Sequence, residues 1–123
     1  MAEIASYRDL LAWQQAVDLA AALYGLTRDW PRDEMYGLIS QTRRASVSVA
    51  ANIAEGYGRD NLGAYVNFLK IAQGSLKEVE THLIIAERVG IARGEDTAPY
   101  LARCESVGKL LRALVRKLEE QRS

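Results

Sequence analysis

The stretch "LGAYVNFLKIAQGSLKEVETHLIIA", residues 62 to 86, places Leu62, Tyr65, Leu69, Ala72, Leu76, Val79, Leu83 and Ala86 three or four residues apart without a fault. At 3.6 residues per turn that spacing gathers all eight on one side of an α-helix, whereas a half-buried strand would alternate every second residue. A stripe of this kind has to be hidden against other elements. Asp60 or Asn61 stands where a side-chain cap can satisfy the first free N–H groups, and Gly90 stands where the helix should stop.

The same period recurs on both sides. Towards the C-terminus a fourth helix begins near Thr97 with Pro99 in its first turn, where a missing N–H costs nothing. Its stripe is Leu101, Cys104, Gly108, Leu111, Val115 and Leu118. Towards the N-terminus a second helix runs from Pro31 to about Tyr57, with Asp33 and Glu34 at the positive end of its dipole. Its core side is Leu38, Thr42, Ala45, Val49, Ile53 and Gly56. A first helix opens near Ser6, whose hydroxyl and Asp9 form a capping box, and Leu10, Trp13, Val17, Ala20 and Tyr24 make its stripe. Four long helices with short connections imply antiparallel neighbours. The sequence therefore predicts an all-α, antiparallel up-down-up-down four-helix bundle occupying residues 1–123 as one domain. The competing arrangement is a three-helix core with the last helix swapped onto a partner.

The totals narrow the class. A chain of 123 residues can bury a core without metal or disulfide help. Sixteen Lys and Arg balance sixteen Asp and Glu, so the chain has no general attraction to nucleic acid. The lone Cys104 permits no intrachain disulfide and points to a reducing, cytoplasmic setting. The opening "MAEIASYRDLLAW" lacks the apolar run of a signal peptide. Arg43 and Arg44 break the longest weakly charged stretch, which makes it a poor membrane span.

The second helix is unusual around its circumference. Gln41, Arg44, Ser48, Asn52, Glu55 and Arg59 fall on one polar seam beside the core stripe. The remaining side carries Ile39, Val47, Ala50, Ala51, Ala54 and Tyr57, with only Arg43 charged. A helix apolar nearly all round is buried nearly all round, so this pattern predicts that the second helix meets another subunit. The seam has two readings. Its polar groups fix register with neighbouring helices, Arg43 or Arg44 pairing with Glu55, Glu78 or Glu80 within the bundle or between subunits, or they form a ligand or nucleic-acid site.

At "QTRRASVSVAANIAEGYGR" and "FLKIAQGSLKEVETHL" the chain resembles the four-helix-bundle proteins encoded in intervening sequences of bacterial 23S rRNA genes. The matching residues are Arg43, Arg44, Ser48, Asn52 to Gly56, Gly58, Arg59, Gly74, Ser75, Leu76, Glu78, Glu80 and Thr81, and the likeness covers roughly residues 7 to 91. The chain departs from the pattern at Ala50, where relatives often carry a proline, and at Ala64, where they carry an acid. The resemblance implies a ring-like homo-oligomer with five subunits the preferred count, and brings no catalytic activity. A more remote similarity to accessory proteins of diversity-generating retroelements implies RNA or a nucleic-acid enzyme as a partner beyond the chain itself.

The residues offer little for chemistry. A bundle di-iron site needs two Glu-x-x-His motifs, but His82 is the only histidine and Val79 stands three residues before it. Cys104 lies on an apolar stripe without an accompanying base. Glu78 and Glu80 point about 200° apart on a helical wheel and cannot act as a close pair. No cofactor or metal is expected, and the chain is read as a non-enzyme. One basic feature remains: Lys109, Arg112 and Arg116 line one face of the fourth helix, where a ring would repeat them as a phosphate-binding surface. Local i,i+4 pairs such as Glu105 with Lys109 explain the same residues without a partner. The expected function is an oligomeric, RNA-associated binding module. The alternative is a structural or protein-binding adaptor that binds no nucleic acid.

Overall fold

The computed structural model describes residues 3–122; residues 1, 2 and 123, included in the domain expected from the sequence, lie outside that span. The described residues form four α-helices and no strand: α1 (Leu11–Arg28), α2 (Ser40–Tyr57), α3 (Leu62–Arg88) and α4 (Gly94–Arg122).

The two ends of α3 follow the sequence reading. Asn61 Oδ1 accepts the Ala64 N–H at 2.7 Å and caps the start. At the other end Gly90 adopts a φ of 80°, open to glycine and strained for most residues. That turn lets the Ile91 N–H reach the Ala86 carbonyl at 2.9 Å and the Gly90 N–H reach Glu87 at 3.2 Å, closing two orphan carbonyls.

Three helix starts differ from expectation, each for a local reason. Ser6 and Asp9 do form a capping box, but it closes only a 3-10 turn, Tyr7–Asp9, because Leu10 is extended with ψ 123°. After Pro31 the chain makes a 3-10 turn, Arg32–Glu34, then a π-helical turn, Met35–Ile39, around the non-helical Gly37. Glu34 still serves the helix start, its carboxylate accepting the Leu38 N–H at 3.2 Å. The fourth helix begins at Gly94 rather than near Thr97, because the N–H groups of Asp96 and Thr97 already bond to the Arg93 carbonyl. Pro99 consequently falls in the second turn.

Contacts between helices set their directions. Ser48 meets Ser75 while Gly56 lies against Phe68, so α2 and α3 run in opposite senses. Lys70 pairs with Glu119 while Leu76 lies against Gly108, so α3 and α4 do the same. Arg43 near the start of α2 meets Thr27 near the end of α1, and Gln15 bonds Ser106 to close α1 on α4. Leu19, Leu23, Ile53, Leu69, Leu76, Leu83 and Leu111 fill the centre.

The expected stripes of α2, α3 and α4 face this centre, and that of α1 is corrected. Of that stripe Leu10 and Ala20 are buried, but Val17 and Tyr24 are 36% and 40% exposed, and the buried residues of α1 are Ala12, Ala16, Leu19, Ala20, Leu23 and Thr27. The surroundings of α2 also need correction. Ala50 and Ile39 are buried within the protomer, so the open apolar strip narrows to Val47 and Ala51 with Ala54 at its edge. Through Ala50 the helix runs without a break.

Candidate functional site

The polar seam divides into three parts. In the middle Ser48 Oγ and Ser75 Oγ lie 2.9 Å apart and tie α2 to α3. Asn52 Nδ2 donates to the Ser48 carbonyl at 2.8 Å and to its hydroxyl at 2.9 Å. Half-buried polar groups are satisfied here by one another, which fixes the helix register. At the lower end the Arg59 guanidinium stacks on Phe68, 4.6 Å from the ring centroid, and pairs with Glu55 at 3.3 Å. At the upper end Arg44 is exposed and forms no ion pair among the described residues.

Among the described residues neither Arg43 nor Arg44 forms the expected pair with Glu55, Glu78 or Glu80. Arg43 turns to α1 instead, donating from Nε to Thr27 Oγ1 at 2.9 Å and from a terminal nitrogen to the Tyr24 carbonyl at 3.4 Å. That carbonyl stands four residues before the end of α1, and Thr27 lies in its last turn, where the helix dipole favours a cation. Glu80 pairs with Lys77 at 3.0 Å on its own helix, and Glu78 lies one turn before His82. Two partners escaped the sequence reading, Thr27 and Phe68. Thr27 had a signal, since a threonine in phase with Leu19 and Leu23 is a buried hydroxyl in search of a bond.

Ser48 contacts only Ser75 and Asn52, neither of which takes up a proton near neutrality. Burial pushes the Cys104 thiol up to about 12, with the Glu80 carboxylate adding to the effect, so it stays protonated and weakly nucleophilic. His82 Nδ1 is enclosed without a hydrogen-bond partner. Burial lowers its pKa below the usual 6.5, against an opposing pull from Glu78. Among the described residues no group of three or more His, Cys, Asp and Glu could hold a metal ion. No helix among them is long and apolar enough to cross a membrane.

The basic row of α4, expected opposite the core, lies to the side of the core stripe, with Arg112 over Gly108. Lys109, Arg112 and Arg116 are all exposed. Lys109 stands 3.9 Å from Glu105, both well hydrated, which makes a weak pair. Arg112 and Arg116 border the groove between α3 and α4.

The architecture is a four-helix bundle in which Ser48 bonds to Ser75 and Arg43 to Thr27, each across two helices. The chain belongs to the 23S rRNA-intervening sequence protein family, whose model matches residues 8–113. It is similar to the crystal structure of a protein with unknown function from the S23 ribosomal protein family of Bacteroides thetaiotaomicron VPI-5482, at 19% identity and a TM-score of 0.77. That alignment covers 85% of this chain and 98% of the other, and at this identity it shows the fold alone. No curated protein matches the chain.

Proposed function

We propose that the protein is a non-enzymatic homo-oligomer, five copies in a ring, that acts in the cytoplasm as an RNA-associated binding module. The observation that carries the reading is an apolar face left open across α1 and α2. Val17 and Tyr24 of α1 and Val47 of α2 are 36%, 40% and 46% exposed, and Ala51 is exposed beside them. The Arg43–Tyr24 contact ties the two rows together. Small residues on α2 let a second copy approach closely, and association would cover apolar area that water now wets.

The cations of α4 supply the RNA side of the proposal. In one neutral chain they offer little field, but a ring multiplies the row. Light scattering should report a defined oligomer at micromolar concentration, and a stable monomer would overturn the assembly. Structured RNA should bind with an affinity that falls steeply between about 50 and 200 mM salt. Reversing Lys109, Arg112 and Arg116 to glutamate should abolish it with the oligomer intact. Assembly without RNA affinity would identify the structural or protein-binding adaptor that the balanced charge also fits.

A further inference from the structure

The groove between α3 and α4 is uneven in charge along its length. Towards one end it is lined by Glu80 and Glu105, and towards the other by Glu119 and Glu120, alongside cations at both ends. The middle differs. There Gln73, Gly74 and Lys77 of α3 face Gly108 and Arg112 of α4 over a floor made by Leu76, in a depression of about 290 Å³ whose own wall holds no carboxylate, although Lys77, Gly108 and Arg112 also border the stretch that contains Glu80 and Glu105.

Backbone shape makes this recess. Gly108 is buried, and a Cβ built on it would lie 3.4 Å from an Arg112 terminal nitrogen and 3.5 Å from Leu76 Cδ2. One terminal nitrogen of the exposed Arg112 guanidinium therefore lies over the glycine. No ion pair occupies it among the described residues. Lys77 reaches the same recess with 70% of its side chain exposed, its ammonium 3.0 Å from Glu80, whose side chain is 21% exposed. With its lysine end in water, the ammonium keeps further N–H groups free for a second acceptor.

We infer that this mid-groove recess is a binding site for a single phosphate group. Arg112 supplies the planar fork that matches two phosphate oxygens, Lys77 a second charge, and the Gln73 amide a neutral donor. The leucine floor excludes water from one side and strengthens these contacts. A polyanion lying along the groove would meet carboxylates at both ends, whereas a phosphate entering across it meets the cations first. The ligand chemistry is thus a phosphodiester presented edge-on by RNA, or a phosphomonoester. The site narrows the RNA reading to one contact without depending on it.

The test follows the Arg112 Nε–H and the Leu76 methyl resonances of the full chain during titration with inorganic phosphate, adenosine monophosphate and structured RNA. Saturable shifts with phosphate are expected, weakened at least ~10-fold by Arg112→Gln and less by Lys77→Gln. Retained amide spectra would show that both variants fold. Displacement of phosphate by RNA would assign the site to the nucleic-acid backbone. Phosphate or monophosphate binding with no RNA affinity would keep the site and remove the RNA reading. Absence of any saturable shift, or equal affinity in Arg112→Gln, would overturn the inference even if RNA binds elsewhere.

Discussion

Arg43 of α2 lies across the ring of Tyr24 of α1, its guanidinium carbon 4.6 Å from the centroid, and its Nε donates to Thr27 Oγ1 at 2.9 Å. Thr27 is fully buried and itself donates to the Leu23 carbonyl at 2.7 Å, so one arginine completes a chain of bonds joining two helices. The adjacent Arg44 makes no such contacts. Arg43→Ala should lower stability by about 1–2 kcal/mol, the sum of a charge-assisted hydrogen bond and a stacked cation. Arg44→Ala should cost under ~0.5 kcal/mol in the protomer. Chemical denaturation at low protein concentration measures both. A larger loss for Arg44 would revive a buried arginine–carboxylate pair.

Two helical glycines should respond to alanine with opposite signs. A Cβ at Gly56 would sit 2.8 Å from Phe68 Cβ and 3.2 Å from the Tyr65 carbonyl oxygen, so α2 and α3 touch there only because it is absent. Gly56→Ala must push the helices apart and should destabilise by about 1–3 kcal/mol. Gly25 on α1 has no atom within 4 Å of the same position, and Gly25→Ala should stabilise by about 0.5–1 kcal/mol through lower unfolded-state entropy. Thermal midpoints of the two variants settle the comparison.

His82 should make stability depend on pH. Burial holds its folded pKa below 6.5, so the unfolded chain binds a proton more readily. The penalty is absent above the ordinary histidine value, sets in as pH falls through it, and is complete below the folded pKa. Stability should therefore decline as pH falls below about 6.5. His82→Gln removes the proton site and should flatten this part of the profile. A slope unchanged in that variant would place the effect elsewhere.

The sequence made the bundle legible because α2, α3 and α4 each show one dominant stripe, as with Leu69, Leu76 and Leu83. In α1 two rows step by three and four side by side, and the larger residues, Trp13 and Tyr24, belong to the outer row. Periodicity reports that a helix is amphipathic, but phase depends on which row its neighbours can approach. Ala12 and Ala16 give the closer approach, while Trp13 packs at the edge against Tyr7, with ring centroids 5.1 Å apart. The partner of Arg43 was hidden for a related reason. A charge pattern along one helix says nothing of a threonine or a ring on another. The mid-groove recess depends on glycine backbone from two helices and was equally out of reach, although Arg112 itself stood out.

The proposed assembly yields the sharpest test, because adjacent alanines on α2 sit in different environments. Ala50 is 9% exposed and packs within the protomer, whereas Ala51 is exposed on the open strip with Val47. A glutamate at position 50 would bury a charge with no partner and should unfold the chain, with a loss of roughly 3–5 kcal/mol. At position 51 a glutamate is free in the monomer and buried only when a second copy covers it. Ala51→Glu should keep the helical spectrum and lower the mass in light scattering to that of one chain. Val47→Glu should do the same from the next turn. If Ala51→Glu leaves the oligomer whole, the contact lies on another face, and if the wild type is already monomeric the open strip needs a different occupant.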